Sequence, residues 1–143
     1  MDELLVFETE HSRISQARDF RVAGYLIVEP KAKCTGLADL DSDQGLDLFG
    51  CLARAEALIE EILAPERIYI LKFGEENPQV HFHVVPRTQT IERAYLADVP
   101  DGKPYSGARI VDWLWFHHES LGCTREESLE FVERARRVAE EMN

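Results

Sequence analysis

The chain has 143 residues, 45% of them hydrophobic, which is enough for one packed domain and excludes a disordered chain. Its 16 Lys and Arg against 27 Asp and Glu leave a formal charge of −11, which repels polyanions and argues against a nucleic-acid polymer as partner. A small phosphorylated ligand stays admissible, because backbone N–H groups can hold a phosphate locally.

Three widely spaced cysteines, Cys34, Cys51 and Cys123, read as reduced thiols. The start Met1-Asp2-Glu3 has no basic signal-peptide region, and no apolar run approaches the ~20 residues of a membrane span. The expectation is a cytoplasmic protein without a membrane anchor.

In chain order, Leu4 to Thr9 is short and apolar and predicts a first strand, and Arg13 to Ala17 a second. Val22 to Pro30 reads as a strong third strand, with Gly24 near its start and Pro30 at its end. Lys31 to Asp43 reads as a loop, with Asp43 capping a helix that runs to about Leu63. Leu48, Leu52, Ala55, Leu58, Ile59 and Ile62 form its apolar stripe. Arg67 to Phe73 predicts a strand, Gly74 to Pro78 a turn, and the run after it a hairpin partner. A short helix is expected near Ile91 to Leu96, whereas Arg109 to His118 fits helix or strand equally. Thr124-Arg125-Glu126-Glu127 is a capping box that opens a last helix. The order predicts an α+β domain spanning 1–143, with a largely antiparallel sheet, a long central helix, a C-terminal helix and helices on one side.

The chemistry concentrates in Asn77 to Arg87. His81 and His83 stand two apart in an apolar run, so on a strand they share one face with Gln79, while Val80, Phe82 and Val84 take the other. Pro86 is expected to end the ladder, having no N–H to give. Three readings follow: a solvated edge pair with no role, two ligands of a metal site completed from His11, His117, His118, Cys34 or Cys123, or a nucleophile with a helper. A neutral imidazole attacks phosphorus without prior deprotonation, and a second ring can hydrogen-bond the phosphoryl oxygens.

Val80-His81-Phe82-His83-Val84-Val85-Pro86-Arg87 resembles the signature of the histidine triad (HIT) superfamily, His-φ-His-φ-His-φ-φ, often followed by Pro-Arg. Ala23 to Lys31 resembles the family's Pro-Gly-His strand, and Leu37 to Leu40 the loop before its long helix. The resemblance runs from about Leu4 to Arg87, and 88–143 aligns weakly. It implies a HIT-like antiparallel sheet, a homodimer, and a hydrolase or transferase that acts on nucleotides at the α-phosphate through a nucleotidyl-histidine. His81 then matches the nucleophile and His83 the helper, which binds the phosphoryl oxygen and assists the leaving group.

The resemblance implies no resident cofactor or metal; a divalent cation would come only with a polyphosphate substrate. Gln79 replaces the first histidine and is expected to orient His81 or contact phosphate. Asn77 is expected to donate to phosphate from the turn. Arg87 is a phosphate candidate that could equally pair with an acid. Tyr25 replaces the histidine of the Pro-Gly-His strand, the Gly-Gln-Ser/Thr turn is absent, and Asp19 is the nearest, offset counterpart of the ribose-binding residue. These departures keep open a nucleotide-binding protein without turnover. Trp113 and Trp115 read as core or dimer interface in preference to base stacking.

Overall fold

The computed structural model describes residues 2–142. Among them five strands and four α-helices follow in the order β1 (Leu5–Glu8), β2 (Ser12–Gln16), β3 (Leu26–Pro30), α1 (Ser42–Leu63), β4 (Arg67–Leu71), β5 (Phe82–Arg87), α2 (Gln89–Asp98), α3 (Gly107–His117) and α4 (Arg125–Glu141). The strands form one antiparallel sheet in the order β1-β2-β3-β5-β4. This is the expected α+β class.

Side-chain alternation divides the core in two. Ile14, Leu26, Val28 and Val84 face a cluster built with α1 and with Phe131, Val132 and Ala135 of α4. Ile27, Val85, Tyr69 and Leu71 face the opposite way, against Ile91, Tyr95, Ile110 and Leu114 of α2 and α3. Helices therefore cover both faces, not one. Arg109 to His118 is helical: its apolar residues recur at helical steps, and Ser106 caps it by accepting from the Arg109 N–H.

Several boundaries move. The cap of α1 is Asp41, not Asp43, because Asp41 and Gln44 satisfy each other's backbone N–H at 2.9 Å. The third strand starts at Leu26, not Val22. Before it the chain turns, with the Tyr25 N–H donating to the Val22 carbonyl. The buried Gln16 amide clamps that turn, donating to Val22 O and accepting from the Gly24 N–H. Gly24 has φ +91°, which favours glycine, and a Cβ there would lie 2.5 Å from Leu63 Cδ1 and force that side chain to shift.

Pro86 does not end its ladder; it pairs with Ile68, and β5 continues to Arg87. It is tolerated because pairing with β3 stops at Leu26 opposite Val84, so Pro86 has a strand neighbour on one side only. Among the described residues no helix is long and apolar enough to cross a membrane.

Candidate active site

His81 lies just before β5 and His83 within it, and both line one cavity of about 880 Å³. Period-two alternation puts His83 on the sheet face shared with Ile27 and Val85, and the His81 and His83 rings come to 5.2 Å between centroids. Val80 and Val84 are buried, as expected of the opposite face.

His81 Nδ1 is 2.7 Å from the Gln79 carbonyl oxygen. A carbonyl only accepts, so Nδ1 carries the proton, and a neutral ring then has its lone pair on Nε2. His83 is held differently. Its Nδ1 is 2.5 Å from Tyr25 Oη, and Trp115 Nε1–H donates to that same oxygen at 2.9 Å. Tyr25 is fully buried, and burial pushes its phenol well above the ordinary tyrosine range. Burial, and secondarily the neighbouring His81, push His83 down to about 4.

A histidine held neutral in the fold but free to protonate when unfolded makes the unfolded chain bind more protons between about pH 4 and 6.5. Its contribution to stability is fully present above pH 6.5 and is lost as the pH falls to about 4. Urea midpoints taken across that window are expected to fall with pH, more steeply than in His83→Gln. Parallel slopes would contradict the buried neutral ring.

Aromatic rings wall the cavity. Phe20 stacks on Tyr25 at 4.7 Å and 9°, and Phe73 meets Trp115 edge-on at 5.7 Å. The rim is acidic: Asp2, Asp19, Glu29, Glu75 and Glu76 line it, and Arg18, the cation among the described lining residues, sits 3.6 Å from Asp2.

The remaining candidates divide. Asn77 reaches the cavity, its Oδ1 accepting from the Gln79 N–H at 3.2 Å, which leaves its amide group as the donor end. Asp19 lines the cavity as well. The Gln79 side chain turns away: Nε2 donates to Ala32 O at 2.8 Å and to Pro30 O at 3.4 Å, while Oε1 accepts from the Cys34 N–H at 3.0 Å. It fastens the loop after β3, and its backbone carbonyl, not its amide, orients His81. Arg87 ends β5 away from His81 and is 7% exposed, bonded to Glu66 at 3.0 Å and to the Tyr69 hydroxyl at 2.8 Å.

The two tryptophans part company because they lie on a helix. Trp113 is buried and donates to Asp98, whereas Trp115 reaches the cavity. The sequence, which fits helix or strand equally there, does not separate the two; the helix does, because residues two apart on it point in nearly opposite directions. Among the described residues no three His, Cys, Asp or Glu side chains gather as a metal site. His117 bonds the Trp113 carbonyl, and His118 accepts from the Arg21 N–H.

A family model for the HIT domain matches residues 1–90. The chain belongs to the HIT family. Solved HIT structures share its fold. A zinc-bound histidine triad family protein from Mycobacterium smegmatis superposes with a TM-score of 0.62 at 16% identity, over 98% of this chain and 88% of that one. A hypothetical histidine triad nucleotide-binding protein from Sulfolobus tokodaii gives 0.53 at 18%, over 94% and 86%. The NitFhit protein of C. elegans gives 0.57 at 21% over 82% of this chain, which spans only 27% of NitFhit. No curated protein matches the sequence. As a HIT domain, the chain carries its paired histidines on an antiparallel sheet with α1 behind them.

Proposed function

We propose that this HIT protein binds a nucleotide and hydrolyses it at the α-phosphate, with Gln79 standing at the first position of the triad. The observation that carries this reading is the His81 ring, whose Nδ1–H is committed to the Gln79 carbonyl and whose Nε2 lone pair is thereby left for attack. His81 Nε2 forms an N–P bond as the bond from phosphorus to the leaving group breaks. The leaving group takes the electron pair and gains a proton. Water then attacks the phosphohistidine, forming P–O, returning the electron pair to Nε2 and losing its proton to solvent. His83 and the Asn77 amide donate to the phosphoryl oxygens, and the aromatic walls take the base. Asp19 accepts from the ribose hydroxyls. No metal enters these steps.

The five rim carboxylates narrow the substrate. Each opposes additional negative charge, and Arg18 already has Asp2 beside it. Substrates with a neutral or cationic leaving group, such as nucleoside phosphoramidates, are therefore favoured over dinucleoside polyphosphates. The second reading, nucleotide binding without turnover, rests on the departures from the family pattern, Gln79 and Gly74 to Pro78 in place of the usual turn. A panel of phosphoramidates, dinucleoside polyphosphates and sugar nucleotides decides between them. Monophosphate release is expected fastest from the phosphoramidates. Nucleotide binding with no release from any substrate would leave the non-catalytic reading.

The homodimer is proposed on family resemblance, supported by β4 as a sheet edge and by Leu46 and Phe49 of α1, about 70% exposed. A monomer mass by light scattering at micromolar concentration would remove it.

A further inference from the structure

We infer that Tyr25 and Trp115 are positioning residues that lock His83 as its Nε2–H tautomer, making it a fixed hydrogen-bond donor to substrate and not a general acid. The inference rests on the phosphoryl-transfer reading for its catalytic meaning, but the lock itself is a property of the free protein.

The direction of each hydrogen bond follows from what the groups can do. An indole N–H only donates, so Trp115 Nε1 donates to Tyr25 Oη over 2.9 Å. The phenol has one proton of its own, and burial keeps that proton on the oxygen. His83 Nδ1, 2.5 Å away, is the acceptor within reach of that O–H, which therefore donates to it. An Nδ1 that accepts has no proton, so the neutral ring carries its proton on Nε2. That is the nitrogen turned away from Tyr25 and left for the cavity.

Protonating His83 would put an N–H on Nδ1, so the Tyr25 oxygen would have to accept and its buried O–H would turn away from its acceptor. The cation is thus opposed by the hydrogen-bond geometry as well as by burial. The rings have little freedom to escape this arrangement. Phe20 stacks flat on Tyr25, and Phe20 and Trp115 each stand 6.1 Å from the His83 centroid, at 70° and 62°.

Charged and titratable groups face this cluster from several elements. His81 stands 5.2 Å away, and His118 lies edge-on to Phe20 at 5.3 Å. Asp19 and Glu29, with Glu75 and Glu76 of the turn before β5, line the same cavity, and the Asp2–Arg18 pair sits at its rim. Burial, and secondarily His81, hold His83 low.

A neutral Nε2–H can stabilise charge on a phosphoryl oxygen. It cannot surrender its proton without forming an imidazolate, so the proton that the leaving group gains comes from solvent. The resemblance assigned leaving-group assistance to His83; the Tyr25–Trp115 pair removes that part of its role and keeps the oxygen contact. A histidine at position 25 would itself have two tautomers, whereas a buried phenol offers one proton in one direction.

The test reads the tautomer directly. Full-length protein labelled with ¹⁵N-histidine is observed by long-range ¹H–¹⁵N correlation from pH 5 to 8, as wild type, Tyr25→Phe and Trp115→Phe. Wild-type His83 is expected to show a bare Nδ1 and a protonated Nε2 throughout. Tyr25→Phe keeps the ring volume but removes the donor. In it, the His83 proton is expected to spread over both nitrogens, and the ring to titrate nearer its ordinary range. With a phosphoramidate substrate, kcat should fall about tenfold in Tyr25→Phe, the size of one lost hydrogen bond, with KM little changed. Trp115→Phe should loosen the tautomer without abolishing it, and it serves as the test if Tyr25→Phe fails to fold.

A proton found on Nδ1 in the wild type overturns the inference. So does a His83 tautomer and titration indifferent to removal of the phenol, or a changed tautomer with unchanged kcat. A locked tautomer in a protein that turns over no nucleotide would overturn the hydrolase reading and leave the lock standing.

Discussion

His81→Ala is expected to lower monophosphate release by about ten-thousand-fold or more, the loss seen when a covalent nucleophile is removed, while nucleotide binding stays nearly unchanged. The expectation follows from one contact. His81 Nδ1 is tied to the Gln79 carbonyl at 2.7 Å, which turns the lone pair of Nε2 outward and fixes the ring plane. Alanine removes the nitrogen proposed to form the N–P bond, whereas the aromatic walls and the Asn77 turn remain. Because the orienting acceptor is backbone, Gln79→Ala is not expected to mimic His81→Ala; it frees the loop after β3 instead. Release rates measured under single-turnover conditions, with affinity measured by calorimetry, separate the two quantities. Activity within tenfold of wild type in His81→Ala would place the nucleophile elsewhere.

The second large effect is expected at His83. Its replacement by alanine removes the donor proposed to meet the charge developing on the phosphoryl oxygens, an expected loss of about 10²–10³ in kcat. It also leaves the Tyr25 hydroxyl without its acceptor in a fully buried position, so thermal stability falls as well. The two losses are separable. His83→Gln retains amide donors and an acceptor, and is expected to recover most of the stability but only part of the rate. A variant that recovers stability and rate together would reduce His83 to a packing role.

The histidine pair was legible because it depends only on spacing. Residues two apart on an extended run tend to share a face, and His81 and His83 line one cavity accordingly, with Val80 and Val84 buried. The caps were nearly as legible, since a carboxylate or hydroxyl reaches an N–H three residues on; Asp41 was displaced from Asp43 by the Gln44 partner that completes its box. Gln79 was legible in position and not in direction. Its side chain answers the unpaired backbone of Pro30, Ala32 and Cys34, a demand set by a loop more than 40 residues earlier. Arg87 was drawn away by Tyr69 and Glu66, which bond its two terminal nitrogens on the β4 side of β5.

By itself, then, the sequence determined the α+β class, the common face of His81 and His83, and the resemblance to HIT proteins, because each rests on periodicity or on contiguous residues. The tertiary structure decided how those histidines are held. Tyr25 meets His83 across 58 positions, and Trp115 meets Tyr25 across 90. Hydrogen-bond direction, burial and the charge of the rim depend on which distant surfaces pack together. That packing is set by the helices on both faces of the sheet, not by the order of residues along any one strand.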